Sequence, residues 1–234
     1  MKGIDLIYIS GILQIMSNKT LKVKAYEWLK DKIITLEYPM GSPLSELELC
    51  RETGFGRTPV REAIQQLESE GLVYVRPKKG TFVSSVDIFD FEKLLESRVM
   101  LETYVVRQLA GAMPAGELER FRKMFDDVPR LVEALEIREL LKIERMFHGG
   151  LVCLLENQYL NAIADRTYDL VARTWYLSFK RRTQPSLEET LNDHLELLDA
   201  LASGDAQAAE KMVVKHINDF KRRVFDHTAG IDDD

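Results

Sequence analysis

Cysteine is nearly absent from this chain. Cys50 and Cys153 are the two in 234 residues. They give no disulfide framework and no CxxC metal pair, so a reducing, cytoplasmic setting is the default expectation. Long apolar runs are missing as well. Ile4–Met16 is too short to span a bilayer, which takes ~20 apolar residues. A signal peptide could use Lys2 as its basic start, but Asp5 interrupts the run and no small-residue cleavage site follows. Residues 1–18 are therefore read as an extension, and no membrane partner is expected. There is no internal repeat and no low-complexity tract, and nothing from Val86 onward reads as strand. Positive charge is in deficit, with a formal net charge of −6. That deficit is uneven. Residues 19–86 carry a net +2 and residues 87–234 a net −8. A mildly basic module on an acidic body can still hold DNA when its cations face one way.

The first module has a dense local grammar. Val23, Tyr26, Leu29, Ile33 and Leu36 fall near helical spacing, predicting an amphipathic helix over 21–36 that ends before the turn cluster Tyr38-Pro39-Met40-Gly41. Ser45 and Glu48 have capping-box spacing, so a second helix starts at Ser45 and runs to about Thr53, before Gly54-Phe55-Gly56. A third follows, with Thr58 as N-cap, Pro59 in the first helical position and the stripe Val60, Ala63, Ile64, Leu67. Gly71 is its stop. Two short helices across a glycine turn make a helix-turn-helix. Arg57 and Arg61 lie four apart, away from the stripe, and with Thr58 give the third helix the basic, hydroxylated leading end that a major-groove reader needs. Leu72–Val75 and Thr81–Val83 then flank Arg76-Pro77-Lys78-Lys79-Gly80. This is a hairpin whose tip, Lys78, Lys79 and Gly80, can reach phosphates or the minor groove. The fold class is mainly α: a winged helix-turn-helix over 19–85, then an all-α bundle over 86–234.

The run Arg57-Thr58-Pro59-Val60-Arg61-Glu62-Ala63, with Glu70-Gly71-Leu72-Val73 and Lys79-Gly80-Thr81-Phe82-Val83, resembles the amino-terminal domain of GntR-family bacterial transcription regulators. The resemblance covers about 21–83 and implies that Arg57, Thr58 and Arg61 touch bases and phosphates while Gly80 enters the minor groove. Relatives often carry serine or threonine where this chain has Gly56, which removes one phosphate contact.

In the second module, periodic segments run over Phe89–Met113, Gly116–Phe125, Leu131–Leu155, Tyr159–Lys180, Leu187–Leu201 and Ala206–Phe225, the last capped by Asp205. Thr183-Gln184-Pro185 separates the fourth from the fifth. Four histidines stand in the chain: His148, His194, His216 and His227. Glu144 and His148 share a helix face, as a ligand pair or as an ordinary surface pair. His194 falls near an expected helix start. Arg98 stands four before Glu102, spacing that suits a surface ion pair. Arg173, close to Trp175 and Tyr176, either contacts an effector or stacks.

Arg98-Val99-Met100-Leu101-Glu102, Glu144-x-x-Phe147-His148 with Asn157, and His194 and His216 on either side of Gly204-Asp205-Ala206 are similar to the ligand-binding domain of the FCD subfamily of those regulators. The resemblance implies a divalent metal held by Glu144, His148, His194 and His216, with glutamate where aspartate is usual. It also implies a small carboxylate effector bound by the metal and Arg98. Zn²⁺, Ni²⁺ and Mn²⁺ all suit three imidazoles and a carboxylate. The expected protein is a homodimeric, effector-controlled regulator, a repressor in most of the family, that reads an inverted repeat in double-stranded DNA. The expected hinge is Ser84–Asp87. Two alternatives stay open: a metal-dependent hydrolase with Glu144 as base, although no clear nucleophile or spare general acid accompanies it, and a metal-free regulator that senses an acyl ligand.

Overall fold

The computed structural model describes residues 20–86, 88–181 and 184–228. The extension over residues 1–18 and Asp87 of the expected hinge lie outside them. The chain divides into two compact units, one ending at Ser85 and the other beginning at Val86.

In the first unit, α1 (Leu21–Ile34) starts at Thr20, whose hydroxyl accepts from the Val23 amide. Its buried stripe is Ala25, Leu29 and Ile33, while Val23 is exposed, so the core-facing side is rotated from the expected one. Alanine at 25 lets α1 lie close against the helix over 57–69 without needing a large apolar side chain. The helix ends at Ile34, and Leu36 just beyond it takes a left-handed φ of 58°. Ser45 caps α2 (Glu46–Thr53) through the Glu48 amide, and Gly54 closes it with φ 71°, a backbone that suits glycine. The third helix, α3 (Arg57–Ser69), begins two residues earlier than expected. Gly56 is its N-cap without a side-chain bond. Thr58 and Pro59 therefore stand inside the first turn, where proline's missing N–H breaks no helical bond. Val60, Ala63, Ile64 and Leu67 are buried as expected. Gly71 (φ 81°) follows the helix, with the Leu72 amide donating back to the Leu67 carbonyl.

The wing strands β2 (Val73–Arg76) and β3 (Gly80–Val83) pair antiparallel, with Arg76 opposite Gly80. A strand not expected from sequence, β1 (Pro43–Leu44), adds to the other edge of β3 and gives the order β1-β3-β2. Two residues, one of them a proline, carry too little periodicity to read as a strand. Tertiary pairing makes them one.

The second unit has seven helices among the described residues: α4 (Ile88–Leu109), α5 (Ala115–Lys123), α6 (Val128–Glu133), α7 (Ile137–Cys153), α8 (Gln158–Arg181), α9 (Gln184–Ser203) and α10 (Ala206–Thr228). The segment read as one helix over 131–155 is two, broken at Leu135, whose φ is 53°. Asn157 caps α8 by accepting from the Tyr159 and Leu160 amides. Asp205 caps α10 through the Ala208 amide. Helix α9 begins at Gln184, so Pro185 lies in its first turn rather than in a separator, and His194 stands well inside the helix rather than near its start. α4 packs along α10, and α7 along α8. Among the described residues, no helix is long and apolar enough to cross a membrane.

Aromatic rings fill the centre. Phe121 and Phe147 meet edge-to-face at 5.8 Å, Phe125 and Phe147 at 5.3 Å, and Trp175 and Phe220 at 6.2 Å. Gly150 on α7 lets α5 approach, because a β-carbon there would sit 2.9 Å from the Phe121 ring. Gly150→Ala is expected to cost about 1–3 kcal/mol by overpacking, despite alanine's better helix propensity. Urea denaturation would read this as a lower midpoint at unchanged slope, and a stabilised variant would contradict it.

Candidate functional site

At the start of α3, Arg57, Thr58 and Arg61 are all exposed. The Arg61 Nε donates to Glu46 Oε2 at 2.7 Å, which ties the reading helix to the first residue of α2. Nothing in the one-dimensional spacing indicates that contact, and on an exposed pair it is worth about 0–1 kcal/mol. In the wing, Lys78, Lys79 and Gly80 are exposed at the tip. Lys78 takes a φ of 64° and the Lys79 amide donates to the Arg76 carbonyl, a tight turn that projects both lysines. Arg76 lies over the Tyr74 and Phe82 rings at 5.2 and 5.8 Å, and those rings stack at 5.6 Å. Sequence reasoning passed over Arg76. The alternation Tyr74-x-Arg76 beside Phe82 was its available signal.

In the second unit, residues far apart in sequence converge. Glu144 and His148 come from successive turns of α7, His194 from the middle of α9 and His216 from α10, and all four are buried. One ligand atom from each lies within 4.8 Å of the others. His148 Nε2 is 3.3 Å from His194 Nε2 and 3.3 Å from Glu144 Oε2, and His194 Nε2 is 3.6 Å from Glu144 Oε1. Donors around a tetrahedral ion with bonds of ~2.0–2.1 Å stand about 3.4 Å apart, which the spacings among Glu144, His148 and His194 match, with His216 in reach as a fourth donor. Neighbouring rings hold them there. His194 stacks on Phe125 at 5.5 Å and meets Phe147 at 4.6 Å, and His148 stacks on Trp175 at 5.9 Å.

The environment sets their charges. Burial lowers His194 to about 4 and takes His216 well below the usual imidazole value. Burial would lower His148 too, but Glu102 and Glu144 outweigh it and raise it. Glu144 is pushed up by burial and pulled further down, to about 2, by His194, His148 and Arg98.

Arg98 is the next layer. It is fully buried on α4, with its guanidinium 4.7 Å from the Trp175 ring and 5.5 Å from Tyr168. Its Nε donates to Glu102 Oε1 at 2.8 Å, while Nη1 and Nη2 are buried with no hydrogen-bond partner. The i,i+4 pair with Glu102 therefore forms, but inside the bundle rather than on its surface. Spacing pairs Glu102 with Arg98 but gives no sign of its second partner. Its second oxygen, Oε2, is 3.0 Å from His148 Nδ1. Arg173 is fully buried as well, and burial lowers it to about 10. Two positions from Trp175 on α8, it stands on a different side of that helix from the ring Arg98 covers.

The protonation pattern predicts acid lability of the metal-free protein. His194 and His216 gain protons on unfolding as pH falls below 6.5 but stay neutral when folded down to about 4 for His194, so stability is lost through that window. His148, raised in the fold, is protonated in both states below 6.5 and adds no slope there; its contribution is lost as pH rises through its folded value. Glu144 and Glu102, both held low, lose their contributions only below the ordinary carboxylate range. Calorimetry from pH 6.5 to 4.5 is expected to show a falling transition temperature with uptake of about two protons on unfolding. A flat or rising transition would contradict this assignment.

Residues 21–83 match the bacterial regulatory proteins of the gntR family, and residues 93–219 match the FCD domain. The chain is 30% identical over 213 residues to an HTH-type transcriptional regulator in an unstable DNA locus of Streptomyces ambofaciens, covering 90% of this chain and 86% of the other. It is 24% identical over 211 residues to the HTH-type transcriptional repressor RspR of Escherichia coli (strain K12), covering 90% and 92%. The solved structure of E. coli McbR/YncC shares the fold, with a TM-score of 0.80 at 17% identity over 90% of this chain and 99% of that one. The two sequence relatives are named transcription regulators, not enzymes, and the hydrolase alternative falls with that. The chain belongs to the gntR family of bacterial DNA-binding transcription regulators, in the branch that carries an FCD domain.

Proposed function

We propose that this regulator is a cytoplasmic, homodimeric repressor whose hold on an inverted-repeat operator is set by a small carboxylate effector. In this reading Arg57, Thr58 and Arg61 read the major groove, and Lys78, Lys79 and Gly80 hold the backbone and minor groove. Glu144, His148, His194 and His216 hold a divalent metal, which when bound supplies a positive centre for a carboxylate oxygen. Zn²⁺, Ni²⁺ and Mn²⁺ remain equally suited by donor type. Arg98 takes the other end of the carboxylate. Arg173 is a second, less direct effector contact.

The observation that carries the reading is the pairing of two features in one interior. Four donors converge at spacings that suit a metal, and a fully buried guanidinium beside them has two nitrogens without partners. Leaving such groups buried is costly unless a ligand meets them. RspR is named a repressor, which supports that sign of control here. Effector binding would bias the placement of the two reading units across Ser84–Asp87, coupling two distinct sites.

Metal analysis of the full-length protein tests the reading. About one equivalent of metal per chain is expected in the native protein, and a loss of nearly all of it in His148→Ala. A native protein that takes up no Zn²⁺, Ni²⁺ or Mn²⁺ would favour the metal-free acyl-sensing alternative.

A further inference from the structure

We infer that Glu102 is a positioning residue that ties the effector arginine to the metal centre, holding Arg98 with one oxygen and His148 with the other. The inference rests on the metal-binding reading above and goes beyond its ligand set. Glu102 sits on α4, buried, one helical turn after Arg98 and across the interior from His148 on α7. Its Oε1 accepts from Arg98 Nε at 2.8 Å, and its Oε2 is 3.0 Å from His148 Nδ1.

Each contact fixes something specific. An Nδ1–H donated to Glu102 leaves the lone pair of His148 on Nε2, the atom that faces Glu144 and His194. The contact at Arg98 Nε orients the guanidinium plane and leaves both η nitrogens for an incoming carboxylate. Among the three clustered histidines, His148 alone has a carboxylate at hydrogen-bonding distance from Nδ1. His194 Nδ1 and His216 Nδ1 have no hydrogen-bond partner, and Asp193 Oδ2 stands 4.0 Å from the latter. His148 is thus the one ligand whose tautomer and ring angle are set by a charged side chain, and that side chain also sets Arg98. A carboxylate pulling on Arg98 changes the load on Glu102, hence on His148.

Glutamine keeps the size of the side chain and breaks the bridge. It has the shape of glutamate but one acceptor oxygen, so it can serve Arg98 or His148 and not both. In full-length protein, Zn²⁺ affinity measured by competition with a chromophoric chelator is expected to fall 10- to 100-fold in Glu102→Gln. Native protein that binds Zn²⁺ beside a Glu102→Gln variant that binds it equally well would overturn the inference and leave the metal reading intact. Failure of the native protein to bind Zn²⁺ would remove the metal reading itself.

Should Glu102→Gln not fold, nitrogen-15 NMR of the native Zn²⁺-loaded protein gives an independent readout. One imidazole, linked to His148 by through-bond correlation, is expected to show a slowly exchanging Nδ1–H. A His148 ring with no protected Nδ1–H, or one that binds metal through Nδ1, would also overturn the inference.

Discussion

With Arg57 and Arg61 both replaced by alanine, operator affinity is expected to fall roughly 10²- to 10⁴-fold, to the level of unrelated DNA. An arginine that makes a bidentate contact to guanine O6 and N7 contributes about 1–3 kcal/mol of discrimination, and the proposed reading gives this role to two arginines at one helix end. Both side chains are exposed and neither fills the core, so the fold is expected to stay intact. Within the protein, the double substitution breaks the Arg61–Glu46 ion pair on the surface. Lys78→Ala with Lys79→Ala provides the contrast. Phosphate contacts carry no sequence information, so the wing variant is expected to weaken all DNA alike and to lower the salt slope by about one per lysine. Fluorescence anisotropy on an inverted repeat recovered from random DNA pools, run against a scrambled duplex at several salt concentrations, separates the two. An arginine-less variant that kept its preference for the repeat would take α3 out of the reading role.

Arg98→Ala is expected to cost about 3–5 kcal/mol of folding stability, an effect of a different kind. Arg98 and Glu102 form a buried ion pair, with side-chain exposures of 0% and 6%. Removing the cation leaves Glu102 charged in the interior with only His148 to oppose it. Arg98 also packs on Trp175 and Tyr168, and alanine is too short to reach either ring. Removing both charges, as Arg98→Met with Glu102→Leu, is expected to return part of the loss, since an apolar pair of similar volume costs no desolvation. Denaturant midpoints at constant slope measure both variants. A single variant as stable as the native protein would mean that Glu102 finds another partner or takes up a proton.

The first unit was legible because its information is local. Ser45 with Glu48, Gly54, Pro59 and Gly71 act through their own backbone, within a turn or two, and they stand where their chemistry requires. The misses there came from competition between neighbouring residues. Thr58 is a good cap by type, yet Gly56 takes the position, because the chain leaving the left-handed Gly54 is already extended at Gly56 and enters the helix directly. In the second unit, helix existence was readable from periodicity, whereas the break at Leu135 was not. A left-handed leucine follows from packing α6 and α7 on different neighbours, and no turn residue marks it.

The candidate site divides in the same way. Glu144 and His148 share a face because they are four apart, so that half was present in the sequence. His194 and His216 joined them there only through family resemblance, since 46 residues of chain separate His148 from His194 and spacing says nothing across that distance. The Arg98–Glu102 pair was also predictable from its spacing. Its burial was not, and burial changes its meaning from a solvated surface pair to a charged contact in the interior.

By itself, then, the sequence determined that most of the helices exist, the caps at Ser45, Gly54 and Asp205, the basic leading end of α3 and which residue types were available to bind. Helix formation, capping and charge balance depend on near neighbours, and near neighbours are written in order along the chain. Tertiary structure decided that β1 is a strand, that Glu46 meets Arg61 and that Arg98 lies inside. It also brought α4 beside α7 so that Glu102 touches both the arginine and a histidine, and brought His194 and His216 to the same place from α9 and α10. Those outcomes depend on which apolar faces pack together and on the low dielectric this creates, and neither is fixed by the spacing of residues along a single helix.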